Sequence, residues 1–266
     1  MIKLLILIVF LIICYLFLIL FYFFENKSNN KSAFCLLTRE PHTIWLDFLT
    51  TFKNYDTYVV IDNQNDYTEI KKKYPNITFV QISDEECNYA NYVNSDYFLR
   101  KNIVATDKAY YYFNRINPQY DYIWFCEDDV FFYNENTLIS IDEKYKSTDL
   151  IVPDLRYYHE DSNWMHWHDI DNRLEKPWAH SLICLTRFSK NLMKELDIFI
   201  IKNKKLIFKE ILFHTLCLHN NMKIATPEEL KNIIIDKDWM INEINKNNCY
   251  HQVKNLEHHL IFRNNL

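Results

Sequence analysis

The chain has 266 residues, a formal net charge of −5 and no glycine. Without glycine there is no glycine-rich dinucleotide loop and no Walker-type phosphate loop, both of which need it where backbone meets phosphate. The negative balance and the lack of a basic block exclude a nucleic-acid partner. Asparagine tolerates positive φ next best, so Asn63, Asn65, Asn220 and Asn221 are expected to supply turns. Enrichment in Asn, Lys, Ile, Tyr and Phe fits an AT-rich coding sequence, which lowers the weight of any single aromatic residue as a signal.

Leu4–Phe24 is a run of 21 uncharged residues. At ~1.5 Å per residue it spans roughly 31 Å, the thickness of a bilayer core. It lacks the small-residue cleavage site of a signal peptide, so residues 1–24 read as an uncleaved transmembrane signal anchor. Lys3 flanks one side, and Lys27 and Lys31 flank the other. With so short a leader, the large domain is expected to be translocated. That makes a single-pass type II protein facing the ER or Golgi lumen. Residues 25–32 read as a short stem and 33–266 as one domain large enough for a proper core. Asn26, Asn30 and Asn76 head glycosylation sequons. Of seven cysteines, Cys14 falls in the anchor. Cys35, Cys87, Cys126, Cys184, Cys217 and Cys249 show no zinc or CxxC spacing. Buried thiols are expected, although a lumenal domain also allows one or two disulfides.

Strand and helix signals then alternate. Ala33–Leu37, Tyr58–Ile61, Ile77–Ile82 and Tyr122–Phe125 read as strands. Pro41–Phe52, Tyr67–Tyr74 and Ile103–Ile116 read as helices by their 3.6-residue apolar period, with Pro41 near a helix start. Four strands separated by helices predict an α/β, Rossmann-like fold with a mostly parallel sheet covered on both faces. The second half is less regular. Leu150–Val152 and Ser181–Thr186 read as strands. Ser189 to about Lys202 and Phe208–Asn220 read as helices, and Thr226-Pro227-Glu228-Glu229 reads as a capping box. Between them, Asp154–Pro177 is a long polar and aromatic loop.

The strongest signal is Trp124-Phe125-Cys126-Glu127-Asp128-Asp129-Val130-Phe131-Phe132. Three adjacent carboxylates end an apolar strand. Their mutual repulsion and their burial both penalise charge, and a cation relieves both. Mg²⁺ or Mn²⁺ takes carboxylate oxygens together with substrate phosphates. A metal–diphosphate site is therefore predicted; the competing reading is an acidic turn capping the next helix. Ligands in parallel sheets bind beyond the carboxyl ends of strands, where Asp62 also falls.

Other candidates are weighed against plainer roles. Trp164, His166, Trp167 and His168, in the long loop with His159 and Trp178, suit a lid or acceptor site, because aromatic faces stack on sugars. An irregular structural loop is the alternative. A metal pair of His166 and His168 lacks a third ligand. Glu210 fits a general base taking a hydroxyl proton, or simply a carboxylate at a helix start. Asp161, Asp169 and Asp171 compete for that role. Lys101, Lys108 and Arg187 suit phosphate neutralisation, or surface charge.

With its strand–helix alternation, a strand ending in Glu127-Asp128-Asp129 and a late His251, the chain resembles the GT-A nucleotide-sugar glycosyltransferases. The amino-terminal anchor looks like the type II layout of secretory-pathway members. The resemblance implies a GT-A-like catalytic domain over 33–266 that uses Mn²⁺ or Mg²⁺ and a nucleotide-sugar donor. Asp129 and His251 are implied as metal ligands. Glu127 and Asp128 would contact ribose, metal-bound water or the donor sugar, which puts Asp128 beside Glu210 among the candidate catalytic residues. Thr38, Arg39 and Asp62 match nucleotide-holding strand ends, and Lys108 joins them as a phosphate partner. The acceptor would be a glycan, protein or lipid hydroxyl. Two rivals use the same residues: a metal-dependent phosphohydrolase or nucleotidyltransferase, and a non-catalytic glycan-binding relative.

Overall fold

Apolar runs with β-branched and aromatic residues form the strands β1 (Ser32–Thr38), β2 (Asp56–Ile61), β3 (Thr78–Gln81) and β4 (Tyr122–Glu127). The computed structural model describes residues 31–83, 85–86, 105–170, 174–203 and 208–266, without the side chains of 105–108 and of Asp169. The anchor reading 1–24, most of the stem, Cys14, Cys87, Lys101, Asp171 and the Lys108 side chain lie outside the described residues. Among those described, no helix is long and apolar enough to cross a membrane.

β1 lies between β2 and β4, parallel to both, and β3 adds parallel to β2. Alternation along each strand feeds two cores. Ala33, Cys35, Leu37, Ile123 and Phe125 face one, while Phe34, Leu36, Trp124 and Cys126 face the other. Burial on both faces is why these strands read as unbroken apolar runs. The helices Thr43–Leu49, Thr68–Lys73 and Ala105–Ile116 connect them.

Beyond β4 come β5 (Phe131–Phe132), β6 (Leu150–Ile151), β7 (Arg156–Tyr157), β8 (Ala179–His180), β9 (Leu185–Ser189), β10 (Ile224–Ala225), β11 (Asn232–Ile233) and β12 (Cys249–His251). Among the described residues the main sheet runs β10-β6-β9-β4-β1-β2-β3. Only β9 is antiparallel to its neighbours β4 and β6. A mixed α/β, Rossmann-like architecture with a mostly parallel sheet is thus the fold. A second sheet, β11-β12-β5, pairs the segment after the acidic triplet with the late histidine strand.

Three sequence expectations shift. The strand expected at Ser181–Thr186 starts at Leu185 and runs to Ser189. Its centre is Arg187, which a hydrophobicity pattern rejects; the guanidinium is buried because Asp142 Oδ1 (2.6 Å), Tyr145 O (2.6 Å) and Thr148 O (3.1 Å) accept from it. Arg187 is therefore not a surface charge. The expected capping box opens only a 3-10 turn, Glu228–Leu230, with no side-chain cap at Pro227; the Glu229 carboxylate pairs instead with Lys144. Two helices also form where none was expected, Glu135–Lys144 and Leu256–Asn265, each capped by an asparagine (Asn134, Asn255) accepting from the backbone two residues on. Of the expected turn asparagines, Asn221 takes φ 52°, while Asn220 caps a helix at φ −101°.

The last helix closes an aromatic cluster. The Arg263 guanidinium lies 3.5 Å from the Phe48 ring centre and donates to Phe132 O at 3.2 Å. Phe34, Trp45, Phe48 and Phe52 all pack on Phe132. Among the described residues Cys35, Cys126, Cys184, Cys217 and Cys249 are buried free thiols.

Candidate functional site

Strand alternation, continued past the end of β4, sends the acidic side chains in different directions. Glu127 follows Phe125 toward the core that contains Ile211, Leu212 and Phe213 of the Lys209–His219 helix. There its Oε1 accepts from Lys209 Nζ at 2.8 Å. Asp128 turns to the opposite face, where its Oδ2 accepts from Thr38 Oγ1 at 2.6 Å. The Trp45 indole N–H donates to Asp128 O at 2.7 Å. Asp129 faces β12, its Oδ2 lying 3.4 Å from His251 Nε2. Backbone bonds fix the turn itself: Val130 N to Glu127 O (3.1 Å), Glu127 N to Cys184 O (2.8 Å) and Val253 N to Asp129 O (2.7 Å).

The triplet is therefore not one knot of repelling charge. Each carboxylate has a partner from a distant part of the chain. Burial would raise the pKa of Glu127, but the charge and hydrogen bond of Lys209, with help from His251 and the Cys184 thiol, bring it below the ordinary carboxylate value. Burial dominates at Asp128; the Thr38 hydrogen bond opposes it, Asp129 and Glu127 add repulsion, and the pKa ends up raised.

His251 is held as metal-ligating histidines usually are. Its Nδ1 lies 2.8 Å from Ile234 O. A carbonyl only accepts, so Nδ1 carries a proton and Nε2 is left to face Asp129 with either a second proton or a lone pair. Burial works against the charged ring, yet Asp129, Ile234 O and Glu127 together raise its pKa. Asp129 and His251 can thus share a proton or a divalent cation, and an oxygen–nitrogen pair suits Mn²⁺. Glu127, Cys184 and His251 form a further group, with ligand atoms all within 4.8 Å of one another.

The remaining predicted residues spread around this turn. Thr38 ends β1 and binds Asp128 directly. Arg39 follows it on an exposed bend, its carbonyl accepting from Asn63 Nδ2. Asp62 follows β2, its N–H donating to Thr38 O at 3.2 Å. Glu210 sits in the first turn of the Lys209–His219 helix; its carbonyl accepts from Ser181 N at 3.3 Å, and its charge bears on the Cys184 thiol.

In the long loop, Trp164 stacks on His180 with ring centres 3.8 Å apart. Trp164 and His166 also pack on Phe208, the residue before Lys209. Trp167 is buried, and its indole N–H donates to Asp161 O at 2.7 Å. His168 is exposed.

Lys209, Cys184 and Trp45 were missed in the sequence. Lys209 left one trace: a lysine in the first turn of a helix opposes the macrodipole, so something else has to hold it there. Cys184 and Trp45 left none, because a thiol and an indole in apolar runs read as core.

No protein-family model matches the chain, and no curated protein matches it. Among solved structures it is similar to 4-diphosphocytidyl-2C-methyl-D-erythritol synthase from Anaerococcus prevotii DSM 20548. That match has 13% identity and a TM-score of 0.42, covering 76% of this chain and 93% of the other. It is also similar to core-mannan synthase A from Aspergillus fumigatus in its Mn/GDP form, at 13% identity and a TM-score of 0.37, covering 67% of this chain and 64% of that one.

Proposed function

We propose that the protein is a metal-dependent glycosyltransferase of the GT-A type, moving a sugar from a nucleotide-sugar to a hydroxyl of a glycan, protein or lipid. The observation that carries this reading is the Asp129–His251 pair at the carboxyl end of β4, with His251 Nδ1 tied to Ile234 O. Asp129 and His251 would hold Mn²⁺ or Mg²⁺, which supplies Lewis-acid stabilisation of the leaving diphosphate.

The chain's own residues do the rest. Thr38 orients Asp128, and Trp45 fixes the backbone beneath it. Asp128 is then positioned to accept from a ribose or donor-sugar hydroxyl, with Arg39 and Asp62 at the neighbouring strand ends for the nucleotide. Lys209 and Lys108 are the cations assigned to phosphate. The acceptor oxygen bonds to the anomeric carbon, the bond from that carbon to the diphosphate oxygen breaks, and Glu210 receives the acceptor proton. Trp164, His166, Trp167 and His168 form the acceptor side, with Trp167 supporting the others from within the core. In this reading residues 1–24 anchor the enzyme as a type II protein of the ER or Golgi lumen.

The test is a panel of sugar nucleotides incubated with the full chain, with and without Mn²⁺. Metal-dependent release of nucleoside diphosphate, lost in Asp129→Ala, is expected. Release of pyrophosphate from a nucleoside triphosphate and a sugar phosphate would instead identify a nucleotidyltransferase.

A further inference from the structure

We infer that Glu127, Cys184 and His251 form a cation site of their own, one that takes a thiophilic divalent ion of the zinc class. The site shares His251 with the Asp129 pair but does not depend on sugar transfer.

The argument starts from the donor set. One carboxylate oxygen, one thiol sulfur and one imidazole nitrogen lie within 4.8 Å of one another. A tetrahedral zinc ion, with donors at about 2.0–2.3 Å, separates its ligand atoms by roughly 3.3–3.8 Å. The group therefore needs to contract by no more than about 1.5 Å. Three protein ligands with a fourth position left for water is a common zinc arrangement. Mg²⁺ prefers oxygen in a near-octahedral shell and gains little from sulfur; thiolate selects for softer ions.

The surroundings point the same way. Each donor is held from behind. The Ile234 carbonyl fixes the His251 ring, and Lys209 Nζ donates to Glu127 Oε1 at 2.8 Å. Cys184 is anchored by its carbonyl, which accepts from Glu127 N at 2.8 Å, immediately before β9 begins. Such partners behind the ligands are what orient a metal shell. The charges also balance: a divalent ion meets one carboxylate, one thiolate and a neutral imidazole, and the thiol proton leaves to solvent as the sulfur–metal bond forms. An ion bound here takes His251 Nε2 away from Asp129, so the zinc-class ion and the hard ion compete for one nitrogen.

The full chain, stripped of metal and free of nucleotide, is titrated with Co²⁺ and then with Zn²⁺. One equivalent of Co²⁺ should produce a near-ultraviolet sulfur-to-cobalt band, which Zn²⁺ abolishes and Mg²⁺ at the same concentration does not. Cys184→Ser should lose the band and bind Zn²⁺ at least about tenfold more weakly, since even an outer-shell partner is worth about 10–100-fold. Cys217→Ser, a buried thiol elsewhere in the core, should keep both. Because a buried Cys184 variant can fail to fold, X-ray absorption of the Zn²⁺-loaded parent gives a reading without mutation. One sulfur at about 2.3 Å beside nitrogen and oxygen neighbours is expected. A shell of nitrogen and oxygen only, or a Co²⁺ band unchanged in Cys184→Ser, overturns the inference. Neither result bears on nucleoside diphosphate release, and a failure of that release leaves these spectra unaffected.

Discussion

Two charge pairs border strand β4 and behave differently. Near its middle, Trp124 lies opposite Arg187 of β9 and donates to Asp142, the carboxylate that Arg187 also binds. At its end, Glu127 binds Lys209. Arg187 is 1% exposed and bonds two backbone carbonyls as well as a carboxylate, with the Tyr122 ring 4.4 Å away. Backbone carbonyls cannot leave, so that pair locks the β6–β9–β4 region. Lys209 is a compact charge on a flexible stem, and its partner is 20% exposed beside Asp129 and His251. Along β4, then, a planar cation from β9 sits where structure must stay fixed, and a point charge from a helix start sits where partners can exchange.

Breaking the fixed pair gives the largest expected effect. Arg187→Met leaves Asp142 buried without its cation and should cost about 3–5 kcal/mol, read as a lower denaturation midpoint. A loss below about 1 kcal/mol would put Arg187 in the same class as a surface ion pair.

Breaking the exchangeable pair should cost less and depend on pH. Lys209→Met strands a largely buried carboxylate, at about 1–3 kcal/mol. In the parent the Glu127 pKa is depressed, so its stabilisation is complete above the ordinary carboxylate value of about 4. It is lost as pH falls through the lower folded value. The gap between parent and Lys209→Met should therefore be widest at neutral pH and shrink on acidification below about pH 4. A constant gap across pH would show that lost packing, not charge, sets the effect.

A third measurement separates Asp129–His251 from both. The His251 pKa is raised, so in metal-free protein its contribution is full below the ordinary histidine value of about 6.5. It fades as pH rises through the raised folded value. His251→Asn should thus differ from the parent more at pH 6 than at pH 9, by under about 1 kcal/mol. A difference that grows with pH would mean that the ring is held neutral. The last expected effect is on activity, at the aromatic loop. Trp164→Ala removes a ring that stacks on His180 and Phe208, and should weaken acceptor use several-fold while leaving metal-dependent donor hydrolysis unchanged. Equal loss of both would make the loop a structural support only.

The comparison also explains what the sequence shows and what it hides. β1, β2 and β4 are legible because two buried faces make an unbroken apolar run, and the strand end is legible because carboxylates cannot continue that run. β9 starts four residues later than its apolar pattern suggests, because Arg187 breaks that pattern and its partners, Asp142, Tyr145 and Thr148, lie far away in sequence. The helices capped by Asn134 and Asn255 went unread, because each has an apolar stripe too thin to recognise without the surface it covers. At the site, Glu127, Asp128 and Asp129 were legible as a cluster. Their separation was not: strand alternation predicts opposite faces, but only the packed fold shows that Lys209, Thr38 and His251 are waiting there. Thr38 and Asp128 are 90 positions apart, and Glu127 and Lys209 are 82 apart.

The contact between Arg263 and Phe132 has a consequence in time. The two residues are 131 positions apart. At a synthesis rate of about 5–20 residues per second, roughly 7–26 seconds separate their emergence from the ribosome. Throughout that interval the aromatic cluster around Phe132 has been made but its lid has not. For those seconds the ring of Phe48 and the carbonyl of Phe132 lack the cation that covers them in the folded chain.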